Sequence, residues 1–273
     1  MKALRPLFLI VGLILIVGLA CAFGNSSNPT AQPTKEPQAT VADNPTDEPT
    51  VASDNPTDEP TAEDGEPTAT EESSSGGDAQ EYYTETFDGN LDNYTWFNTG
   101  KGDDKDKKKF SLTTKDGFLV FDLKGENLWI YVTYNPFTYK DVALEVTADN
   151  RGKNNNNVSL VCRYNPDEGW YEFNIYNNGL YDIFAYDATG VVNKGYNKIA
   201  DGASKAIKQG RDVNTYGVSC VDDKLSLTIN GADVTTVTDR KYQFREGKVG
   251  FGVSSFTTVP ILVNVDSFTI SEP

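Results

Sequence analysis

The sequence predicts an all-β protein: a two-sheet antiparallel jelly-roll sandwich carried behind a disordered acidic linker. Three observations point there. Apolar and polar residues alternate with period two in run after run from residue 81 onward, the signature of half-buried strands. Asx-Gly pairs such as Asp116-Gly117, Asn178-Gly179 and Asn230-Gly231 punctuate those runs, and these residues tolerate the positive φ of tight turns. Tyr and Phe number 14 each against one Met, and aromatic side chains favour pleated, half-buried surfaces.

The 273 residues divide into three zones. Residues 1–24 open with Lys2 and Arg5 and then carry no charge from Leu7 to Gly24, a stretch at the lower limit for crossing a bilayer. It reads as a secretion signal with three outcomes. Gly18-Leu-Ala-Cys21 is similar to a lipobox, which would make Cys21 the lipidated residue of a membrane-anchored lipoprotein. Ala20-Cys-Ala22 also fits small-residue cleavage, and an uncleaved anchor is the third outcome. Residues 25–80 hold 13 acids, one base (Lys35) and eight of the 13 prolines. With almost no large apolar residue, this zone cannot offset the entropy of ordering, so it is expected to be a disordered, expanded spacer. Its repeat of Asp43–Thr50 as Asp54–Thr61 has no apolar face to stack. Residues 81–273 form one domain long enough for a real core.

Within that domain the strongest strands are 118–123, 128–134, 141–148, 158–164, 170–176, 180–186, 213–221, 225–229, 248–254 and 261–270. Weaker runs near Tyr83, Tyr94 and Phe110 bring the expectation to about 12 to 14 strands. Ala203–Lys208 alone reads as helical, for a turn or two. Cys162 shares a strand face with Val158 and Leu160, and Cys220 with Tyr216 and Val218. In an exported protein these two thiols are expected to pair, leaving Cys21 for the anchor; two buried free thiols are the alternative.

Composition excludes several chemistries. The chain has no histidine, so His-based triads and His-metal sites are ruled out. Three cysteines cannot form a four-thiolate zinc site. A net charge of −16 opposes binding to a phosphate backbone, so no nucleic-acid partner is expected.

The order of landmarks resembles the concanavalin A-like lectin/glucanase superfamily. Phe87-Asp88 precedes Trp96, and Gly117-Phe-Leu opens a strand. Cys162-Arg-Tyr leads into Gly169-Trp-Tyr-Glu-Phe-Asn-Ile175, followed by Gly179-Leu-Tyr-Asp-Ile183. Leu225 to Gly231, Gly247-Lys-Val-Gly-Phe251 and Val265-Asp-Ser-Phe268 complete the order. The superfamily includes lectins, glucanases, laminin-G-like modules and 3-keto-disaccharide hydrolases, so the resemblance implies a fold and a tendency toward glycans. Its glucanases carry E-x-D-x-x-E on one strand. Here the run is Glu172-Phe-Asn174-Ile-Tyr-Asn177, with amides where two acids would stand, and an amide cannot donate the proton that glycoside hydrolysis requires.

A binding surface asks for less. If Tyr171, Phe173 and Ile175 face the core, then Trp170, Glu172, Asn174 and Tyr176 face outward. Ser159, Val161 and Arg163 would join them from the next strand, Asp182, Phe184 and Tyr186 would extend the patch, and Trp129 and Tyr131 would share another face. Two blander readings stand beside this one: Arg163 and Glu172 as a simple cross-strand ion pair, and the aromatics as a second core layer. The resemblance also implies a calcium ion near the joined chain ends, with Asp88 and Asp266 as its acids. Asp103-Asp104-Lys-Asp106 reads as an exposed loop, and Arg151-Gly-Lys153 followed by Asn154–Asn157 as a polar loop, a solvated turn rather than a functional loop. The expectation is an extracellular, membrane-anchored surface protein whose domain binds a glycan or another surface polymer without catalysis. A glycoside hydrolase and an adhesive structural subunit are the alternatives.

Overall fold

The computed structural model describes residues 79–100 and 109–273. The expectations for the leader, for Cys21, for the linker up to residue 78 and for Asp103–Asp106 lie outside the described residues.

Fifteen strands make up the described chain. The first five are β1 (Tyr83–Glu85), β2 (Tyr94–Asn98), β3 (Phe110–Lys115), β4 (Phe118–Leu123) and β5 (Leu128–Tyr139). The middle five are β6 (Val142–Asn150), β7 (Asn156–Asn165), β8 (Gly169–Tyr176), β9 (Leu180–Asp187) and β10 (Gly195–Ala203). The last are β11 (Val213–Val221), β12 (Lys224–Ile229), β13 (Ala232–Thr238), β14 (Gly247–Ser255) and β15 (Ile261–Ser271). Every pairing is antiparallel. One sheet runs β13-β12-β11-β6-β15-β4-β3 with β1 added on β15; the other runs β10-β9-β8-β7-β14-β5-β2. This is the expected two-sheet sandwich. Ala203–Lys208 is not helical: β10 ends at Ala203, and one turn from Ser204 to Ile207 follows.

Alternation builds the core. β4 and β6 bury every second residue, among them Leu119, Phe121, Leu123, Val142, Leu144 and Val146, against Phe173, Ile175, Val249 and Phe251 of the opposite sheet. β7, β8 and β14 are instead buried along nearly their whole length. Their second face is therefore covered as well, a departure from a one-sided antiparallel sheet that marks where the site lies. Cys162 of β7 and Cys220 of β11 form a disulfide joining the two sheets across 58 residues of sequence. In the chain-entropy view such a closure is worth about 4 kcal/mol. Where the described chain begins, the Tyr134 and Tyr139 hydroxyls, both on β5, donate to the carbonyls of Gln80 and Glu81 at 2.7 Å.

Arg163 does not face outward with Ser159 and Val161. Against β8, Cys162 pairs with Tyr171 but Asn165 pairs with Gly169, so β7 carries one extra residue there. Arg163 absorbs it with φ of 54°. Such a bulge reverses the side-chain alternation. Tyr164 takes the outward place, and the guanidinium turns to the end of the sandwich. There it is 1 % exposed and donates to the carbonyls of Lys140, Asp222 and Phe244 at 2.9 Å each, and to Asp141 at 3.3 Å. No Arg163–Glu172 ion pair forms.

Asp88 and Asp266 stand near the seam of β1 and β15, and both are exposed. Asp88 accepts from the Thr86 hydroxyl at 3.1 Å, and Asp266 sits at a register shift in β15. Among the described residues no group of three acidic or thiol side chains gathers around a metal position. Calcium at this seam would take most of its six to eight oxygens from backbone and water.

Candidate functional site

The outer face of the seven-stranded sheet gathers the chemistry. On β8, Tyr171, Phe173 and Ile175 enter the core, so Trp170, Glu172, Asn174 and Tyr176 emerge on the opposite face. Register places Val161 and Phe184 on either side of Glu172, and Ser159 and Asp182 on either side of Asn174.

Glu172 is the centre of the arrangement. It is 1 % exposed, and among the described residues no cation pairs with it. Oε1 accepts from Tyr131 Oη at 2.8 Å and Asn174 Nδ2 at 2.9 Å; Oε2 accepts from Trp170 Nε1 and Tyr196 Oη at 3.1 Å each. Burial raises its pKa, and the four hydrogen bonds only partly oppose that rise. Tyr131 reaches it from β5, two strands beyond β7, because the intervening β14 is bare at Gly252. A Cβ there would lie 2.9 Å from Tyr131 Cδ1 and 2.6 Å from the Ile130 carbonyl. Asn174 Oδ1 accepts from Asn157 Nδ2 at 2.9 Å and Ser159 Oγ at 2.5 Å. Two polar atoms beside this network, Asn157 Oδ1 and Ser254 Oγ, are buried without a hydrogen-bond partner among the described residues.

The face has two halves. In one, rings form a second apolar layer. Phe97 stacks on Tyr131 at 5.1 Å and on Tyr164 at 5.2 Å, Tyr164 meets Trp170 at 5.1 Å, and Trp170 stacks on Tyr186 at 4.0 Å. Tyr131 and Trp170, expected to meet a ligand, are buried in this layer, with Trp170 only 5 % exposed. Here the reading of the aromatics as core holds, and the two side chains serve the site through their bonds to Glu172.

The other half is open. A cleft of about 540 Å³ has Trp129, Tyr176, Phe184, Tyr196 and Phe256 as aromatic walls and Glu172, Asn174 and Asn157 as its polar base. That volume lies within the range of about 300–1,000 Å³ usual for small-molecule sites. Tyr176 donates to Asp182 Oδ2 at 2.8 Å, and Lys198 Nζ holds Asp182 Oδ1 at 2.6 Å. Glu172 is the one acid among the described lining residues. Asn177, at the position of the third acid in the glucanase pattern, leaves the cleft and donates to Asn156 Oδ1 at 2.7 Å.

Of the expected ligand residues, the structure brings Trp129, Glu172, Asn174 and Tyr176 to the cleft, sets Tyr131 and Trp170 behind it, and removes Arg163. Tyr196, Phe256 and Asn157 join without having been expected. Tyr196 comes from β10, whose sparse apolar pattern hid it, and Phe256 from the loop after β14. Asn157 lies in the second position of β7, not in a solvated turn, and is 1 % exposed.

Several solved structures share this fold. A β-glucanase from Bacillus licheniformis superposes with a TM-score of 0.51 at 14% identity, covering 72% of this chain and 100% of that one. A Bacillus subtilis protein of unknown function with a galectin-like fold gives 0.52 at 11% identity, over 70% and 94%. A Bacteroides ovatus mixed-linkage glucan GH16 protein, in complex with the product G4G4G3G, gives 0.52 at 10% identity, over 69% and 99%. At these identities the likeness is one of fold. No curated protein sequence matches the chain. The family model of the 3-keto-alpha-glucoside-1,2-lyase-like domain matches residues 82–265, nearly the whole sandwich, and the chain belongs to that family.

Proposed function

We propose that the domain binds a carbohydrate in the cleft beside Glu172, without cleaving it, and that Cys21 and the acidic linker display it at the extracellular face of a membrane. The observation that carries the reading is the pairing of aromatic walls with an amide and carboxylate base that retains an unpartnered acceptor, Asn157 Oδ1. Sugars offer apolar faces to rings and hydroxyls to such groups. The disulfide suits an oxidising compartment.

Catalysis is less well supported. Glycoside hydrolysis by the usual route needs two carboxyl groups flanking the bond, and Glu172 is the one acid among the described residues that line the cleft. The family's name points to a second reading, elimination from a 3-keto-α-glucoside. A base for that reaction must reach a carbon-bound proton with a free lone pair. All four acceptor positions of Glu172 are engaged by neighbours, although its raised pKa suits proton transfer.

Calorimetric titration of the intact protein with gluco-oligosaccharides tests the proposal. Trp129→Ala and Phe256→Ala are expected to weaken binding at least tenfold with the melting temperature little changed. Full affinity in both variants would place the ligand elsewhere. Release of an ultraviolet-absorbing enone from a 3-keto-glucoside would replace binding by catalysis.

A further inference from the structure

The run Asn154–Asn157 reads in sequence as a solvated turn, yet Asn156 and Asn157 are buried at the start of β7. Next to the cleft lies a second pocket of about 250 Å³, lined by Asn154, Asn155, Asn156, Asn178, Tyr176 and Phe256. It shares Tyr176 and Phe256 with the cleft, and these two rings stack at 5.8 Å between the two spaces. We infer that the two pockets form one binding groove, and that its ligand is a neutral oligosaccharide of two or more units rather than a single sugar. The inference rests on the carbohydrate-binding reading above.

Three observations support it. First, each pocket carries a buried polar atom with nothing to pair with among the described residues, and the two are complementary in kind. Asn157, in the cleft, leaves its Oδ1 acceptor unmet. Asn156, in the side pocket and 2 % exposed, accepts at Oδ1 from Asn177 but leaves its Nδ2 donor unmet. Buried groups of this kind are normally satisfied, and hydroxyls, which both donate and accept, can answer either one. Second, among the described residues the side pocket is lined by amides and rings with no charged side chain, and the cleft adds only the carboxylate Glu172. Sugars bearing carboxylate, sulfate or phosphate would meet the Glu172 anion and no cation among those lining residues, Lys198 beside the Phe184 wall being paired with Asp182, so selection runs toward neutral chains. Third, the wall is pre-organised. The Asn155 carbonyl accepts from Phe256 N at 3.1 Å, and Asn155 Oδ1 accepts from Thr258 N at 2.9 Å. The loop that supplies Phe256 is thereby fastened to the asparagine run before any ligand arrives.

The experiment compares glucose, its disaccharides and its trisaccharides, in β-1,3, β-1,4 and α-1,4 linkage, by calorimetry or by NMR shift titration with the intact protein. At least one series should bind tenfold or more tightly as di- or trisaccharide than as glucose. Asn156→Asp keeps the acceptor for Asn177 and removes the free donor, and the exposed Asn178→Ala leaves the core untouched. Each should erase most of the chain-length gain while leaving glucose affinity within twofold, and the Asn178 variant serves if the buried aspartate impairs folding. Equal affinity for glucose and every longer chain would overturn the two-unit groove and leave the cleft proposal standing. A chain-length gain that survives in every variant that folds would overturn the assignment of the side pocket. Absence of binding for every saccharide would overturn the carbohydrate reading itself, and this inference with it.

Discussion

Replacing Arg163 by methionine separates an architectural arginine from a ligand-binding one. The guanidinium is 1 % exposed and donates to three backbone carbonyls and to Asp141. Methionine fills much of the volume and supplies no donor, so the carbonyls of Lys140, Asp222 and Phe244 lose their charged partner at once. Hydrogen bonds from charged groups contribute about 1.5–3 kcal/mol each. Against their sum stands the relief of no longer burying a cation, worth several kcal/mol. Each buried carbonyl left without its donor costs about 1–3 kcal/mol, and with that relief set against the three of them the balance is about 3–5 kcal/mol. Taking 4 kcal/mol as an order of magnitude, a domain of this size should lose roughly 8–16 °C in Tm. Differential scanning calorimetry measures it, with saccharide titration below the melting range as the companion. Arg163→Lys should recover only part of the loss, since one ammonium cannot span the carbonyls of three separate loops. A variant that melts like the wild type but no longer binds saccharide would refute the reasoning and return Arg163 to the ligand face.

Glu172→Gln should change how stability depends on pH. The raised pKa means that the folded chain holds this proton more tightly than the unfolded one. The associated stability is complete below the ordinary carboxylate range and is lost as pH rises through the folded pKa. The glutamine variant should lack that decline, and a wild type gaining stability relative to it with rising pH would contradict the burial argument. Gly252→Ala should cost about 1–3 kcal/mol in urea unfolding, because the new methyl group meets Tyr131 and the Ile130 carbonyl; an unchanged midpoint would show that Tyr131 does not need the bare strand. Reduction of Cys162–Cys220 should lower stability by about 4 kcal/mol. Thiol titration of the denatured, unreduced protein should find neither cysteine free, and two reactive thiols from these positions would end that expectation.

The legible part of the molecule is the part governed by simple alternation. Tyr171, Phe173 and Ile175 on one face and Trp170, Glu172, Asn174 and Tyr176 on the other follow from the period of a strand, as does the shared core placement of Cys162 and Cys220. What was not legible depends on breaks in that period or on edges. Arg163 adopts a positive φ with no glycine or Asx-Gly pair to announce it. β10 and β13 are outermost strands with few buried residues, so their apolar signal is thin and Tyr196 went unseen. Whether an outward aromatic meets solvent or another ring depends on its partners on other strands: Phe97 of β2 covers Tyr131 of β5 and Tyr164 of β7 covers Trp170 of β8, whereas Trp129 opens on the cleft. Local spacing carries no record of that.

The two tyrosine hydroxyls that hold Gln80 and Glu81 have a mechanical meaning. They fasten the start of the domain to β5 of the seven-stranded sheet, while β1, two residues later, zips onto β15 of the other sheet. A pull arriving along the chain from residue 79 is thus shared between both layers at once. Tension transmitted to the domain through its N-terminal side would load the whole sandwich instead of peeling one edge strand away.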